Sequence, residues 1–337
     1  MSTDNRMPRA LVTGAGGFIG HHMTKFLRAR GYWVRGVDLK VPEFEPSSAN
    51  EFELRDLRHP EQCLAAVLGI DDVYHLAADM GGIGYITAFH AAVARNNVFI
   101  DANMLEAARM VGVRRFFYAS SACVYPQYRQ TEAEVTPLRE EDAYPADPEK
   151  GYGWEKLYAE QLCRYYLEDH GLETRVARFH NIFGPLGTFE GGREKAPAAI
   201  CRKVASAVDG DEIEVWGDGS QTRSFTCIDD CVQGIYRIAQ SDHSDPLNLG
   251  SDELVTIDQL VDLVAEAADK SIGKRHDTTK PQGVRGRNSD NGALLAALGW
   301  QPSTPLQDGI AATYRWIEAQ LLSTGRVPAP QPKKVPA

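Results

Sequence analysis

Short apolar runs alternate with longer stretches of helical periodicity through the first two-thirds of the chain. The runs at 9–13, 33–38, 72–77, 115–120 and 173–178 carry β-branched and aromatic residues between polar breaks, which predicts strands. Apolar positions recur at helical spacing over 17–30, 62–68, 91–111 and 152–170, which predicts helices. Strand and helix thus alternate, and that order implies an α/β fold with a doubly wound parallel sheet of Rossmann type. After Asn181 the pattern loosens. Residues 185–195 are Gly-rich and polar and read as a loop that faces a substrate. A helix over 197–208, a short strand over 213–216, a turn at 217–219 and two amphipathic stretches at 256–268 and 305–322 follow. The predicted division is a dinucleotide-binding domain over 8–180 and mainly a smaller substrate lobe over 181–325, some of whose segments return to the first sheet. The last eleven residues hold four prolines and two lysines, so 326–337 reads as a disordered tail.

The bulk numbers narrow the function. With 337 residues, 43% of them hydrophobic, the chain can bury one large core, or one large and one small. A formal net charge of −10 argues against a nucleic-acid binder. No apolar run reaches the roughly 18 residues of a membrane span. The polar start, with no apolar signal core, predicts a cytoplasmic protein. Six scattered cysteines without a CxxC pair fit free thiols in a reducing compartment. Cys227 and Cys231 lack partners at metal-site spacing, so no metal is expected.

Candidate chemistry begins at the first turn. Gly14, Gly17 and Gly20 form a GxxGxxG turn between strand and helix, continued by Phe18 and Ile19. Such a turn lets phosphates approach a helix N-terminus. Asp38 ends the next predicted strand, where a carboxylate accepts from both ribose hydroxyls and repels a 2′-phosphate. NAD is therefore expected over NADP. Asp56-Leu57 follows at a spacing suited to the adenine. Tyr152 and Lys156 lie at i and i+4 on one helix face. An ammonium close to a phenol favours the phenolate, which can take a hydroxyl proton while the same carbon loses hydride. Taken alone this spacing is common; the glycine turn and Ser121 at a strand end, within reach of the same oxygen, strengthen it. Cys123 sits just beyond that strand end, where a thiol can move a proton on carbon.

Together these residues resemble the extended short-chain dehydrogenase/reductases of the nucleotide-sugar epimerase and dehydratase type. The likeness spans roughly residues 8–320. It is carried by the glycine turn, by His75-Leu76-Ala77-Ala78, by Ser120-Ser121 and by Tyr152 through Lys156. It continues through Arg178-Phe179-His180-Asn181-Ile182-Phe183-Gly184-Pro185 and through Gly217-Asp218-Gly219-Ser220-Gln221-Thr222-Arg223-Ser224-Phe225 with Asp229-Asp230. Within that superfamily the chain is most similar to the GDP-mannose 3,5-epimerase branch. That likeness rests on Ala78-Asp79-Met80-Gly81-Gly82-Ile83-Gly84, on Ser121-Ala122-Cys123-Val124-Tyr125-Pro126, on Gly191-Gly192-Arg193-Glu194-Lys195-Ala196-Pro197 and on Gly286-Arg287-Asn288-Ser289-Asp290.

The resemblance implies an isomerase that oxidises C4 of GDP-mannose transiently with NAD, inverts C5 and C3 through enolates, and returns the hydride. Its products would be the L-galactose nucleotide and, where C5 alone inverts, the L-gulose nucleotide. Tyr152, Lys156 and Ser121 would form the redox centre, with Ala77 beside the cofactor. Cys123 and Lys195 would exchange protons from opposite faces of the sugar, and Lys156 and Lys195 would lower the pKa of the thiol. Met80, Gly81, Gly82 and Gly84 would form a flexible loop at the sugar. Asn181, Lys203, Arg223 and Arg287 would hold the nucleotide diphosphate. The helices at 91–111 and 152–170 would pair with their copies in a homodimer. Epimerisation at C5 alone, a 4-epimerase and a catalytically silent NAD-binding protein are the rivals. A 4,6-dehydratase is disfavoured, because Ala122-Cys123 stands where those enzymes carry an Asp-Glu pair.

Overall fold

The computed structural model describes residues 6–326, so the predicted tail lies, Arg326 apart, outside the described residues. Six strands alternate with helices over the first half: β1 (Arg9–Thr13), β2 (Trp33–Asp38), β3 (Glu51–Leu54), β4 (Asp72–His75), β5 (Arg115–Ser121) and β6 (Glu173–Phe179). The strand Leu247–Leu249 joins them in one parallel sheet. Its order is Leu247–Leu249, β6, β5, β4, β1, β2, β3. The chain changes its direction of winding between β1 and β4, which opens a crevice at their C-terminal ends. The helices are α1 (Phe18–Ala29), α2 (Pro60–Val67), α3 (Ile83–Ala88), α4 (His90–Val111), α5 (Tyr152–His170) and α6 (Ala196–Ser206).

Period-two alternation splits the strands between two cores. Leu11, Val73, Phe116 and Val176 face Met104, Leu105 and Cys163 of α4 and α5. Ala10, Val12, Tyr74 and Phe117 face Met23 and Leu27 of α1 and Ile235 and Ile238 of the helix Ile228–Gln240. Each large apolar side chain so buried contributes about 1.5–3 kcal/mol. Both faces of the sheet are covered, as a parallel sheet requires.

The predicted elements of the first 180 residues form within two residues of their expected ends. Three features depart from expectation. The glycine loop at 80–84 runs into helix α3 instead of staying open. The helix Ile228–Gln240 continues the alternation past Asn181; its buried Ile228, Val232, Ile235 and Ile238 recur at helical spacing, a signal diluted by Asp229, Asp230 and Gly234. The strand β3 is a partly exposed edge with no apolar run. Beyond the main sheet, Thr222–Ser224 pairs antiparallel with Leu254–Thr256 and parallel with Gly286–Arg287, which sets Arg223 opposite Arg287. No helix among the described residues is long and apolar enough to cross a membrane.

One buried ion pair docks α5 on the sheet. The Glu160 carboxylate on α5 meets the Arg178 guanidinium on β6 at 2.8 Å, and Ser120 on β5 donates to the same carboxylate. Arg178 also donates to the Glu140 carbonyl at 2.7 Å. Removing one partner leaves a buried charge alone, so Arg178→Met is expected to lose about 3–5 kcal/mol of stability in chemical denaturation. An unchanged midpoint would show that the pair does not hold the helix.

Candidate active site

A cavity of about 510 Å³ opens where the sheet's C-terminal edge meets the later segments of the chain. Its wall brings together Ser121, Cys123, Tyr152, Lys195, Asn181, Lys203, Arg223 and Arg287. Met80, Gly81 and Gly82 line it as well, and Ile19 reaches it from the glycine turn. These residues lie far apart in the chain and meet only through the fold.

Cys123 follows β5 in a single 3-10 turn, Ala122–Val124. Its N–H donates to the Ser121 hydroxyl at 3.2 Å, so the strand's last side chain sets the turn that carries the thiol. Tyr152 opens α5 and packs among Ile86, Val93, Met80 and Cys123. The close approach needs Gly153, since a Cβ there would stand 2.3 Å from the Cys123 carbonyl oxygen. Lys195 is the N-cap residue of α6, in extended conformation, with Pro197 in the first helical turn.

The electrostatics differ from the expectation in two places. Lys156 divides its charge: its ammonium donates to the Tyr118 hydroxyl at 2.9 Å and lies 3.6 Å from the Asp101 carboxylate. Its nitrogen is 5.7 Å from the centroid of the Tyr152 ring. Burial, the Glu155 carboxylate and Cys123 hold the Tyr152 hydroxyl well above the usual phenol range, against a lowering hydrogen bond with Ser121. Of the cations named for the thiol, Lys195 interacts with Cys123, and Arg287 joins it. Burial pushes Cys123 up to about 11, with Glu149 adding to the rise and Arg287 opposing it. The resemblance places Arg287 near phosphates; in the structure its guanidinium reaches the Cys123 sulfur at 3.8 Å while bonding to Glu149 at 2.5 Å and Gln130 at 2.6 Å. Lys195 behaves as expected, because burial lowers its pKa.

Two more of the expected cations, Arg223 and Lys203, line the same cavity. Arg223 donates only to the backbone carbonyls of Thr222, Gln282 and Val284, and burial beside Arg287 lowers its pKa to about 9. Lys203 donates to the Glu214 carbonyl at 2.7 Å. Asn181, at φ +46, donates to the Ser224 carbonyl at 2.9 Å and lines the cavity.

The dinucleotide cradle fits the expected cofactor. A Cβ on Gly14 would meet the Leu76 carbonyl at 2.9 Å; one on Gly20 would stand 2.0 Å from the Gly14 carbonyl. Only glycines let the turn pack this tightly at the start of α1. Gly17 caps that helix without a side chain. Asp38 accepts from the Gly16 and Lys40 N–H groups, which fixes its carboxylate at the edge of the turn. Asp56 is gripped by Arg58, which holds it at about 2. Leu57 is core, its carbonyl accepting from the Cys63 thiol. Ala77 donates its N–H to the Thr13 hydroxyl at 3.1 Å. Glu149, Glu155 and Gly153 are not singled out by the sequence. Glu149 lies in the charged stretch Asp147-Pro148-Glu149-Lys150, which reads as a solvated loop until Arg287 is folded against it.

Known proteins bear on this geometry. The model of the NAD dependent epimerase/dehydratase family matches residues 10–250. GDP-mannose 3,5-epimerase 1 of Oryza sativa subsp. japonica is 50% identical over 93% of this chain and 82% of its own length. GDP-mannose 3,5-epimerase of Arabidopsis thaliana is 49% identical over 92% and 82%. The crystal structure of UDP-glucose 4-epimerase from Thermus thermophilus in complex with NAD superposes with a TM-score of 0.81 at 25% identity, covering 92% of this chain and 98% of that one. A fold wound as theirs, a glycine cradle for a dinucleotide and half-identity over nearly the whole length lead to one conclusion: the chain belongs to the NAD dependent epimerase/dehydratase family, among the GDP-mannose 3,5-epimerases.

Proposed function

We propose that this chain is an NAD-dependent isomerase that epimerises GDP-mannose at C3 and C5, giving GDP-L-galactose and, when C5 alone inverts, GDP-L-gulose. The observation that carries the reading is a thiol and an amine, Cys123 and Lys195, lining one cavity with the Tyr152 phenol. A plain 4-epimerase has no work for that pair.

Bound NAD supplies the reversible hydride acceptor for C4, so the reaction ends without net oxidation. The protein's own part is proton management. Tyr152 takes the C4 hydroxyl proton, with Ser121 hydrogen-bonded to the same phenol. The ketone at C4 acidifies C5 and C3. Cys123 removes a proton from one face, Lys195 delivers one to the other, and each centre inverts. Burial drives both groups toward their neutral forms, the thiol up and the amine down. Arg287, held by Glu149, favours the thiolate form. Arg223, which donates to backbone carbonyls, and Lys203, whose ammonium stands 3.7 Å from the Glu214 carboxylate, suit a diphosphate in the cavity.

We further propose that residues 8–180 chiefly bind the dinucleotide and that 181–325 chiefly hold the sugar nucleotide. The working form would be a cytoplasmic homodimer. Trp154, Tyr158 and Tyr165 form an aromatic stripe on α5, each about half exposed, beside Phe99 on α4. A second copy would cover it.

Incubation with GDP-mannose in heavy water is expected to place deuterium at C3 and C5 of the product. Label at neither carbon would remove the reading, label at C5 alone would reduce it to 5-epimerisation, and unlabelled inversion at C4 would reassign the chain. Cys123→Ala should lower turnover by roughly 10²–10⁴-fold. Neutralising Glu149 removes a charge that disfavours the thiolate, so Glu149→Gln should let Cys123 alkylate at lower pH; peptide mass spectrometry across a pH series reads this, and a shift upward would contradict it. Tyr158→Glu with Tyr165→Glu should halve the mass seen in light scattering.

A further inference from the structure

Lys195 has no hydrogen-bond or ion-pair partner for its ammonium among the described residues, yet it must meet the sugar from a fixed direction. Its placement is therefore set by its backbone. The loop that carries it is clasped to the loop after β4. The Arg193 carbonyl accepts from the Gly82 N–H at 3.1 Å. The Arg193 guanidinium lies over the Tyr85 ring at 3.9 Å from its centroid, reaches the Met80 carbonyl at 3.5 Å, and stands 4.0 Å from the Asp79 carboxylate. Gly82 has no space for a side chain, since a Cβ would sit 2.5 Å from the Glu194 carbonyl.

The far side of the clasp is anchored in rigid structure. Asp79 accepts from the Tyr85 hydroxyl at 2.8 Å and from Asn96 at 2.9 Å. Its N–H donates to Asn97 at 2.6 Å, and Asn97 donates in turn to Glu155 at 2.7 Å. Asn97 and Glu155 are buried on α4 and α5, the second beside Lys156. A continuous set of contacts thus runs from the redox helix, through Asp79 and Tyr85, to the residue two before Lys195.

We propose that Arg193, stacked on Tyr85, is a positioning residue that fixes the reach of Lys195 to the sugar and so governs proton transfer at C3 and C5, not oxidation at C4. This rests on the epimerase reading above. A flat guanidinium on an aromatic face is worth most where both planes are kept, so a lysine does not replace it.

The test separates the two halves of the reaction in the full-length protein with GDP-mannose. Absorbance of reduced nicotinamide in a single turnover reports C4 oxidation; deuterium wash-in from heavy water reports proton transfer. Arg193→Ala should slow wash-in by roughly ten- to a hundredfold, the cost of about an ångström of misplacement, and leave oxidation unchanged. Tyr85→Phe, which keeps the ring, should stay near the parent, whereas Tyr85→Ala should match Arg193→Ala. The double variant should lose no more than either single, because the two act as one contact. Equal loss of both halves, unchanged wash-in, or additive losses would overturn the proposal. If Arg193→Ala does not fold, Arg193→Met, which keeps the aliphatic stem without the flat cation, should give the same split; an even loss would again overturn it. A parent protein that washes in no label at all would instead remove the epimerase reading itself.

Discussion

Asp101 sits almost wholly buried on α4, and a lone carboxylate there would be untenable. Three partners make it tolerable: His75 at 3.0 Å, the Tyr118 hydroxyl at 2.8 Å and the Lys156 ammonium at 3.6 Å. His75 passes the constraint on to the Thr13 hydroxyl at 2.9 Å, which also accepts from the N–H groups of Leu76 and Ala77. The ends of β1, β4 and β5 and the faces of α4 and α5 are thereby fixed by one charge. Burial opposes the charges of both Asp101 and Lys156, but their partners together outweigh it: Lys156, His75 and Tyr118 for the acid, Asp101 and Glu155 for the amine. The neighbouring Glu155 is left without a full share of partners and is pushed up to about 8 by burial. The cluster explains why Lys156 faces Tyr118 rather than Tyr152. Its ammonium belongs to the frame as much as to the reaction.

Around that frame the site has an uneven electrical character. Tyr152, Cys123 and Lys195 are all driven toward their neutral forms, chiefly by burial. Arg287, secured between Glu149 and Gln130, brings its guanidinium to the sulfur, and the Lys195 ammonium interacts with it as well. A pocket so arranged suits chemistry in which protons are moved between groups that burial keeps short of charge.

Much of this is legible in the chain. Local periodicity locates β1, β2 and α5 to the residue, because their apolar positions are dense and their ends are marked by Gly, Asp or a turn. The edge strand β3 is not visible, since Glu51 and Glu53 alternate with Phe52 and Leu54 without an apolar run. Cys123, Tyr152 and Lys195 stand out by their motifs and do share one cavity. What the sequence hides is electrostatics across distance. Arg287 reaches Cys123 because a two-residue strand pairs beside Thr222–Ser224, and nothing local to either residue encodes that pairing. Asp101 lies inside a long helix, where an acid reads as a solvated position until Lys156 and His75 are folded onto it.

The missing side chain at Gly153 carries a wider meaning. The backbone of α5 rests directly on the turn that holds the sulfur, so phenol and thiol ride on a single rigid casting. Any larger residue at 153 would prise them apart. A change at 153 is therefore felt by sulfur and phenol at once, although that position carries neither reactive atom.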